Sequence, residues 1–299
     1  MSYSYLDIVK IADAFPYPGP GGESTINDYV HFRVAAHPYE TLGFILPDVA
    51  DTLKDLPGGL WISPTTLAMR AIGRFRLLNK WRGELFPVYG PNKELLFSIE
   101  PSASPLFGVV VYGVNMTAFR WSGGSNNNRQ GSLQVWVPRR SSTRAKFPNM
   151  LDSSVGGGLA TGGTPWSCII RESEEEASLE EGLVRCAQEV GTITYFYVSG
   201  EGSGGESGLA QPERSYVFDL DLTGFPPDAL TMNDDSVAAF ELLTVPEVKL
   251  ALGRKEFKPN CALVMLDFLI RHGQLTVEEE PGIQEISVRM HRKMDFPLR

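Results

Sequence analysis

The sequence predicts a two-domain α/β protein, with a small α+β domain over residues 1–103 and a larger, strand-rich domain over residues 104–299. Three observations support this fold class. The chain has 299 residues and a mass of 33.0 kDa, a length that favours two domains. Short helical and strand patterns are mixed in the first hundred residues, and strand patterns become prominent after them. A cluster of prolines and serines at residues 101–105 marks the change.

Composition and charge exclude several classes of protein. A hydrophobic content of 42% with 10% aromatic residues is ordinary for a globular chain, which excludes disordered and fibrous proteins. The formal net charge of −9, with no basic cluster longer than residues 138–140, argues against a nucleic-acid partner. No apolar run approaches the roughly 20 residues that span a bilayer, and the N-terminus lacks a signal-peptide pattern. We therefore expect a cytoplasmic protein without a membrane partner; its oligomeric state is left open.

The cysteines give no sign of a metal centre or a disulfide framework. Cys168, Cys186 and Cys261 are an odd number at wide spacing, without a CxxC pair. This pattern predicts reduced and mostly buried thiols.

In the first domain, the segment TLAMRAIGRFRLLNKW, residues 66–81, has apolar residues mostly at helical intervals. It predicts a helix that packs one face onto a small sheet. The apolar positions are Leu67, Ile72, Phe75, Leu78 and Trp81.

The second domain contains two predicted strand pairs. In each pair, two apolar segments flank a polar, turn-rich segment, which is the pattern of paired strands joined by a long loop. The first pair comprises residues 106–121 and 132–140, and the second comprises residues 192–200 and 214–222. The second connection, residues 201–213, has the composition of a mobile loop. Further on, Pro259 begins a predicted apolar helix that ends before Gly273.

A third helix follows a glycine-rich segment at residues 156–163. Thr164 is a suitable N-cap and Pro165 suits the first helical position, so the sequence predicts a helix that begins there. At about 100° per residue, four residues form its packing stripe. They are Trp166, Ile170, Ser173 and Ala177.

The same helix carries four glutamates in six positions, residues 171–176. Glu172, Glu175 and Glu176 share an arc of about 100°, whereas Glu174 points elsewhere. A solvated acidic face is the simpler interpretation of these residues alone. The alternative is a site for a hard divalent cation, which binds grouped carboxylates. The preceding glycines favour this alternative, because their N–H groups and the helix N-terminus can approach a phosphate.

The segment resembles the Nudix box, G-x5-E-x7-R-E-U-x-E-E-x-G-U, in which U is apolar. The matching residues are Gly157, Arg171, Glu172, Glu175, Glu176 and Leu179. Gly163, Ser173 and Ser178 depart from the pattern. The resemblance implies a Nudix α/β/α sandwich with a mixed sheet, and hydrolysis of a small diphosphate with Mg²⁺ or Mn²⁺.

The resemblance also implies roles for the matching residues. Glu172, Glu175 and Glu176 are the implied metal ligands, and Glu175, Glu176 and Arg171 the implied catalytic residues. Arg171 is expected to orient the glutamates through a bidentate pair. Gly157 and Gly158 are the expected substrate-binding residues.

Segments within residues 40–275 resemble the thiamine-diphosphate-related Nudix proteins of fungi and plants, which carry an N-terminal domain of their own. The resemblance implies hydrolysis of thiamine diphosphate, or of damaged analogues, to the monophosphate. Its flat rings are expected between the domains, beside aromatic residues. The candidates are Trp81, Phe86, Tyr89 and Phe107.

One segment departs from that subfamily. Residues 233–240 read NDDSVAAF, with Ser236 and Ala238 where the subfamily has glutamates. The general base must then lie elsewhere, and Asp234, Asp235 and Glu213 are candidates in expected loops. The departure keeps two alternatives open: a prenyl or other diphosphate as substrate, or a repurposed Nudix fold without hydrolytic activity.

Overall fold

The computed structural model describes residues 3–17, 28–56, 62–123, 131–144, 146–200, 205–233 and 235–299. The helices of these ranges are α1 (Tyr5–Ala12), α2 (Pro47–Lys54), α3 (Ile62–Ile72), α4 (Ser104–Phe107), α5 (Pro165–Ala177), α6 (Glu181–Val184), α7 (Val245–Gly253), α8 (Pro259–Arg271) and α9 (Ile283–Met290), with a 3-10 turn at Arg76–Lys80. The strands are β1 (Val30–Phe32), β2 (Gly43–Ile45), β3 (Phe86–Tyr89), β4 (Leu95–Ile99), β5 (Val111–Trp121), β6 (Leu133–Arg140), β7 (Val155–Gly158), β8 (Gln188–Val198), β9 (Ala210–Asp221) and β10 (Val237–Thr244). Within them, no helix is long and apolar enough to cross a membrane.

The central element is a six-stranded mixed sheet. Its strand order is β10-β6-β5-β9-β8, and β7 pairs with the first half of β5. β5 and β9 run parallel, whereas the other pairings are antiparallel. The two strand pairs predicted from the sequence, β5 with β6 and β8 with β9, are therefore confirmed.

Helices cover both faces of this sheet. On one face, buried residues of α5 such as Ile169 and Ala177 join a core cluster with Tyr112, Val114 and Met116 of β5. On the other face, α1, α7 and α8 contribute to a second cluster with β6, β8 and β9. The predicted α/β/α arrangement with a mixed sheet is confirmed.

The remaining N-terminal elements form a unit with its own core. β1 pairs with β2 and β3 pairs with β4, both antiparallel. The buried residues of this third cluster lie within residues 32–109, with Leu209 added from the strand-rich part. Helix α1 packs instead against α8 and α9. The division at residues 103 and 104 stays a prediction, and α1 precedes it in the sequence but packs against helices that follow it.

Helix α8 begins at Pro259 and is followed by Gly273, as the sequence predicts.

The prediction of one helix over residues 66–81 is wrong for the second half of that segment. It ends at Ile72 because Gly73 adopts a left-handed φ of 72°, and Arg76–Lys80 forms a 3-10 turn. Leu67 and Ile72 are consequently exposed, by 51% and 55%.

A buried ion pair fastens the N-terminal segment to the C-terminal one. Arg292 lies 3.0 Å from the Asp13 carboxylate and donates to the carbonyl oxygens of Phe15 and Pro16. Asp13 also accepts from the Phe196 N–H of β8. Both charged side chains are buried, and Arg289 lies 3.6 Å from Asp13 as a second cation. Removal of Arg292 therefore takes from Asp13 its closest cation in a low-dielectric interior.

The substitution Arg292→Met should lower the free energy of unfolding by about 3 kcal/mol, the lower end of the cost of breaking a buried ion pair, because Arg289 remains near Asp13. Urea denaturation of wild type and variant measures this loss. Arg254→Met is the control, because Arg254 is 61% exposed and its removal should cost less than about 0.5 kcal/mol. Equal losses in both variants would contradict the assigned role of the buried pair.

Candidate active site

A cavity of about 630 Å³ lies between the N-terminal unit and the sheet. Its lining comes from four parts of the fold: residues 77–105 of the N-terminal unit, the glycine strand β7 with helix α5, residues 140–152, and the start of α8. β5, β8 and β9 supply residues from the sheet itself. Ligand pockets span roughly 300–1,000 Å³, so this space suits one small molecule.

The glycines of β7 allow helix α5 to approach the sheet closely. A Cβ atom at Gly157 would lie 2.1 Å from Glu172 Oε1, and one at Gly158 would lie 2.2 Å from Phe86 Cζ. Any other residue at these positions would therefore push Glu172 or Phe86 out of its place. Gly157 and Gly158 line the cavity, as expected of substrate-binding residues; contact with substrate stays a prediction.

Helix α5 begins as the sequence predicts. The Thr164 side chain accepts a hydrogen bond from the Ser167 N–H at 3.1 Å, and Pro165 follows it. Ser173 and Ala177 are fully buried, whereas Trp166 and Ile170 are partly buried against the same cluster. Glu174 is exposed and points away from the other three glutamates, as predicted.

The structure separates the three predicted metal ligands. Glu172 and Glu176 line the cavity, and Glu176 accepts a hydrogen bond from the Gly156 N–H at 3.1 Å. Glu175 is 52% exposed and lies outside the lining. Arg171 bridges two of them, 2.6 Å from Glu172 Oε1 and 2.8 Å from Glu175 Oε2. It therefore orients two carboxylates with one bond to each, and not as a bidentate pair with one of them.

The donor set fits a hard divalent cation in part. Glu172 and Glu176 are four residues apart on a helix, which makes them neighbours, and both supply oxygen donors to the cavity. No group of three acidic, histidine or cysteine side chains among the described residues is close enough to hold a metal. Glu175 can complete such a set only after Arg171 releases it. The ligand roles of all three glutamates stay predictions.

Burial affects the ionisation of the side chains on α5. Burial raises the pKa of Glu172, and the nearby Glu175 and Glu84 carboxylates raise it further, whereas Arg171 lowers it. A bound cation would favour the ionised carboxylate. Burial also raises the pKa of the Cys168 thiol to about 12, so this cysteine is protonated at neutral pH.

Glu213 is the one sequence-predicted base that the structure brings into the described cavity lining. It lies on strand β9, opposite Tyr195 of β8, and not in a loop as expected. Burial raises the pKa of its carboxyl, against the opposing effects of the nearby Tyr195 hydroxyl and the charges of Lys258 and Lys146.

The other candidate bases do not reach this lining. Asp235 is exposed outside it, and Asp234 lies outside the described residues. Ser236 and Ala238 lie at the start of the edge strand β10, also outside the lining. The loop tips at residues 124–130 and 201–204 lie outside the described residues as well.

Of the four predicted stacking residues, Phe86 alone lines the cavity. Phe107 is fully buried, Tyr89 packs against Tyr112, and Trp81 lies under Arg70. The lining aromatic residues that sequence reasoning missed are Tyr112, Phe147, Tyr195 and Tyr197.

Sequence reasoning also missed a basic wall of the cavity. Its members are Lys80, Arg82, Arg140, Arg144, Lys146 and Lys258. They are dispersed over some 180 positions of the chain, and the short cluster at residues 138–140 was the one sequence signal for them. The three cysteines are free thiols; Cys168 and Cys261 are buried, and Cys186 is exposed.

Comparison with known proteins identifies the fold family. The family model described as NUDIX domain matches residues 125–261. This part of the chain is identified as a Nudix domain. An uncharacterized Saccharomyces cerevisiae protein, YJR142W, is 38% identical over 73% of this chain and 63% of its own length. Nudix hydrolase 20, chloroplastic, of Arabidopsis thaliana is 32% identical over 71% of this chain and 53% of its own length.

The chain therefore spans between about half and two thirds of the length of these two relatives. Among solved structures, DR0079 of Deinococcus radiodurans is 23% identical and covers 57% of this chain and 88% of its own. Its TM-score of 0.38 is too low to support an argument. The assignment of residues 125–261 as a Nudix domain thus depends on the sequence matches and on the box residues 157–179, which include α5.

The substitution Gly157→Ala should displace Glu172, because the new Cβ would lie 2.1 Å from its carboxylate oxygen. That oxygen is the far end of a flexible side chain, so the fold should tolerate the change. We expect Mn²⁺ affinity, measured by calorimetry, to fall at least about tenfold, while Tm shifts by only a few degrees. Gly182→Ala is the control, because its Cβ would have no neighbour within 4 Å. Unchanged Mn²⁺ affinity in Gly157→Ala would contradict this account.

Proposed function

We propose that this protein is a metal-dependent hydrolase that converts an organic diphosphate to its monophosphate. One observation carries the proposal: Glu172 and Glu176 of the Nudix helix face a cavity whose other walls carry more basic than acidic side chains, together with aromatic residues. A diphosphate has the complementary chemistry, because its oxygens bind both hard cations and basic side chains. A cytoplasmic location remains part of the proposal.

Nudix hydrolases generally use divalent ions such as Mg²⁺ or Mn²⁺. Glu172 and Glu176 would hold such an ion here, joined by Glu175, and it would supply Lewis acidity and neutralise phosphate charge. Arg171 would keep the carboxylates oriented, since it already bonds two of them. The residues that would bind the cation therefore all lie on helix α5, which packs beside the glycine strand β7.

Glu213 is the best-placed general base of this proposal. It lies in the cavity, and a carboxyl with a raised pKa is suited to proton transfer near neutral pH. Its neighbours Lys146 and Lys258 favour the ionised form, which is the form that accepts a proton. A base on β9 would explain why the chain can lack glutamates at positions 236 and 238.

The cavity lining favours thiamine diphosphate, or a damaged analogue, over a prenyl diphosphate. Charged residues outnumber aliphatic ones in the lining. A prenyl chain would need a largely apolar wall, whereas flat heterocycles can lie against Phe86, Tyr197 or Phe147. The resemblance to the thiamine-diphosphate-related subfamily supports the same substrate.

The direct test is release of phosphate products, with Mg²⁺, from thiamine diphosphate, its oxidised forms and farnesyl diphosphate. Glu172→Gln and Glu175→Gln should lower kcat/KM at least about 10²-fold, since each removes a carboxylate that the reaction needs. Glu174→Gln is the matched control on the same helix and should retain full activity, because Glu174 is exposed on another side. Turnover unaffected by Glu172→Gln, or none on any diphosphate, would overturn the proposal.

The substitution Glu213→Gln should lower kcat about 10²-fold or more with little change in KM, because amides do not accept protons at neutral pH. In wild type, the rate should fall as pH drops through the raised pKa of Glu213, since protonation removes the base. This acidic limb should be absent from the residual activity of the variant. Wild-type kcat in this variant would contradict the assignment of Glu213 as the general base.

A further inference from the structure

The basic wall of the cavity contains a loop that Arg140 holds in place. Arg140 donates to the carbonyl oxygens of Phe147 and Lys146, at 3.0 and 2.9 Å, and pairs with Asp152. Its guanidinium is therefore engaged with the protein itself. The Lys146 side chain, carried on the same loop, lines the cavity together with Lys258 from the start of α8.

The charge around Lys146 is unbalanced. Burial lowers the pKa of its ammonium to about 8, and the charges of Arg82, Lys80 and Lys258 lower it further. Glu213 is the carboxylate that opposes them. Like charges collected in a partly buried space repel each other unless a counter-charge is present. The wall is therefore a place where an anionic group of a ligand would be stabilised.

The carboxylate wall, Glu172 and Glu176 of α5, and Glu213, which the charges of Lys146 and Lys258 reach, border one strip of glycine backbone. A Cβ at Gly113 of β5 would lie 3.1 Å from the Gly157 carbonyl oxygen and 3.5 Å from Glu213 Oε1. A Cβ at Gly157 would in turn lie 2.1 Å from Glu172 Oε1. Glu172 and Glu213 thus stand on either side of Gly113 and Gly157, and one ligand over this strip can touch both walls.

We propose that Lys146 and Lys258 bind the terminal phosphate of the diphosphate, so that the protein selects diphosphate monoesters over diphosphate diesters. This inference rests on the proposed function and adds the substrate class to it. A monoester ends in a phosphate with a free, doubly ionisable group. A diester carries an uncharged substituent there, which would leave Lys146 with Glu213 as its counter-charge and Lys258 with Asp152 and Glu213, and neither with an anionic group from the ligand.

The test is calorimetric binding, with Mg²⁺, of two probes that the protein cannot hydrolyse: methylenediphosphonate, with both ends free, and its P,P′-dimethyl ester, with both ends capped. Wild type should bind the free probe at least about tenfold more tightly. Lys146→Met and Lys258→Met should each weaken binding of the free probe about 10- to 100-fold and that of the capped probe by less than about threefold. Lys54→Met, a change of an exposed lysine paired with Asp51, is the control.

Each outcome has a defined meaning. Equal affinity of wild type for the two probes, or equal losses for both in the lysine variants, would overturn the inference. Lys146→Met keeps the test decisive if Lys258→Met fails to fold, because Lys258 also lies close to the buried Asp152. If the protein hydrolyses an organic diphosphate but does not discriminate between the probes, the result contradicts this inference alone. If it discriminates between the probes but hydrolyses no diphosphate, the result contradicts the proposed function alone.

Discussion

The approach of helix α5 to the glycine strand β7 is the constraint on which the site depends. The missing Cβ of Gly157 leaves room for the Glu172 carboxylate, and that of Gly158 leaves room for Phe86. β7 is itself held by its antiparallel register with β5. Because the opposite side of α5 is fixed by buried Ser173 and Ala177, the helix cannot rotate without losing core contacts. Packing of one helix therefore decides which carboxylates reach the cavity.

A second consequence of this arrangement is a cavity with opposite charges on its walls. The carboxylates come from one continuous helix, whereas Lys146 and Lys258 come from a loop and from the start of α8. Burial raises the pKa of Glu172 and lowers that of Lys146. Burial also acts to lower the pKa of Lys258, but the charges of Asp152 and Glu213 help to raise it overall. A cation would therefore favour ionised Glu172, and an anion would favour charged Lys146. A metal-bound diphosphate carries both signs and satisfies both walls at once.

The parts of the site predictable from the sequence were the local ones. Thr164 and Pro165 mark the start of α5, and residue spacing along that helix separates Glu174 from the other glutamates. The features that were predicted wrongly or missed depend on contacts between residues distant in the sequence. Glu213 enters the cavity because β9 runs parallel to β5, a pairing that no local pattern encodes. Lys146 reaches it because Arg140 fixes its loop. The helix predicted through Gly73 failed for a local reason, since its left-handed φ ends α3.

The central claim is that Glu172 and Glu176 hold a divalent cation inside the cavity. Anomalous diffraction from crystals soaked in Mn²⁺ tests it most directly, because it locates the ion independently of any substrate. The account predicts an anomalous peak in the cavity beside both carboxylates, which Glu172→Gln should remove. Manganese bound solely elsewhere, or a peak that persists unchanged in Glu172→Gln, would contradict it.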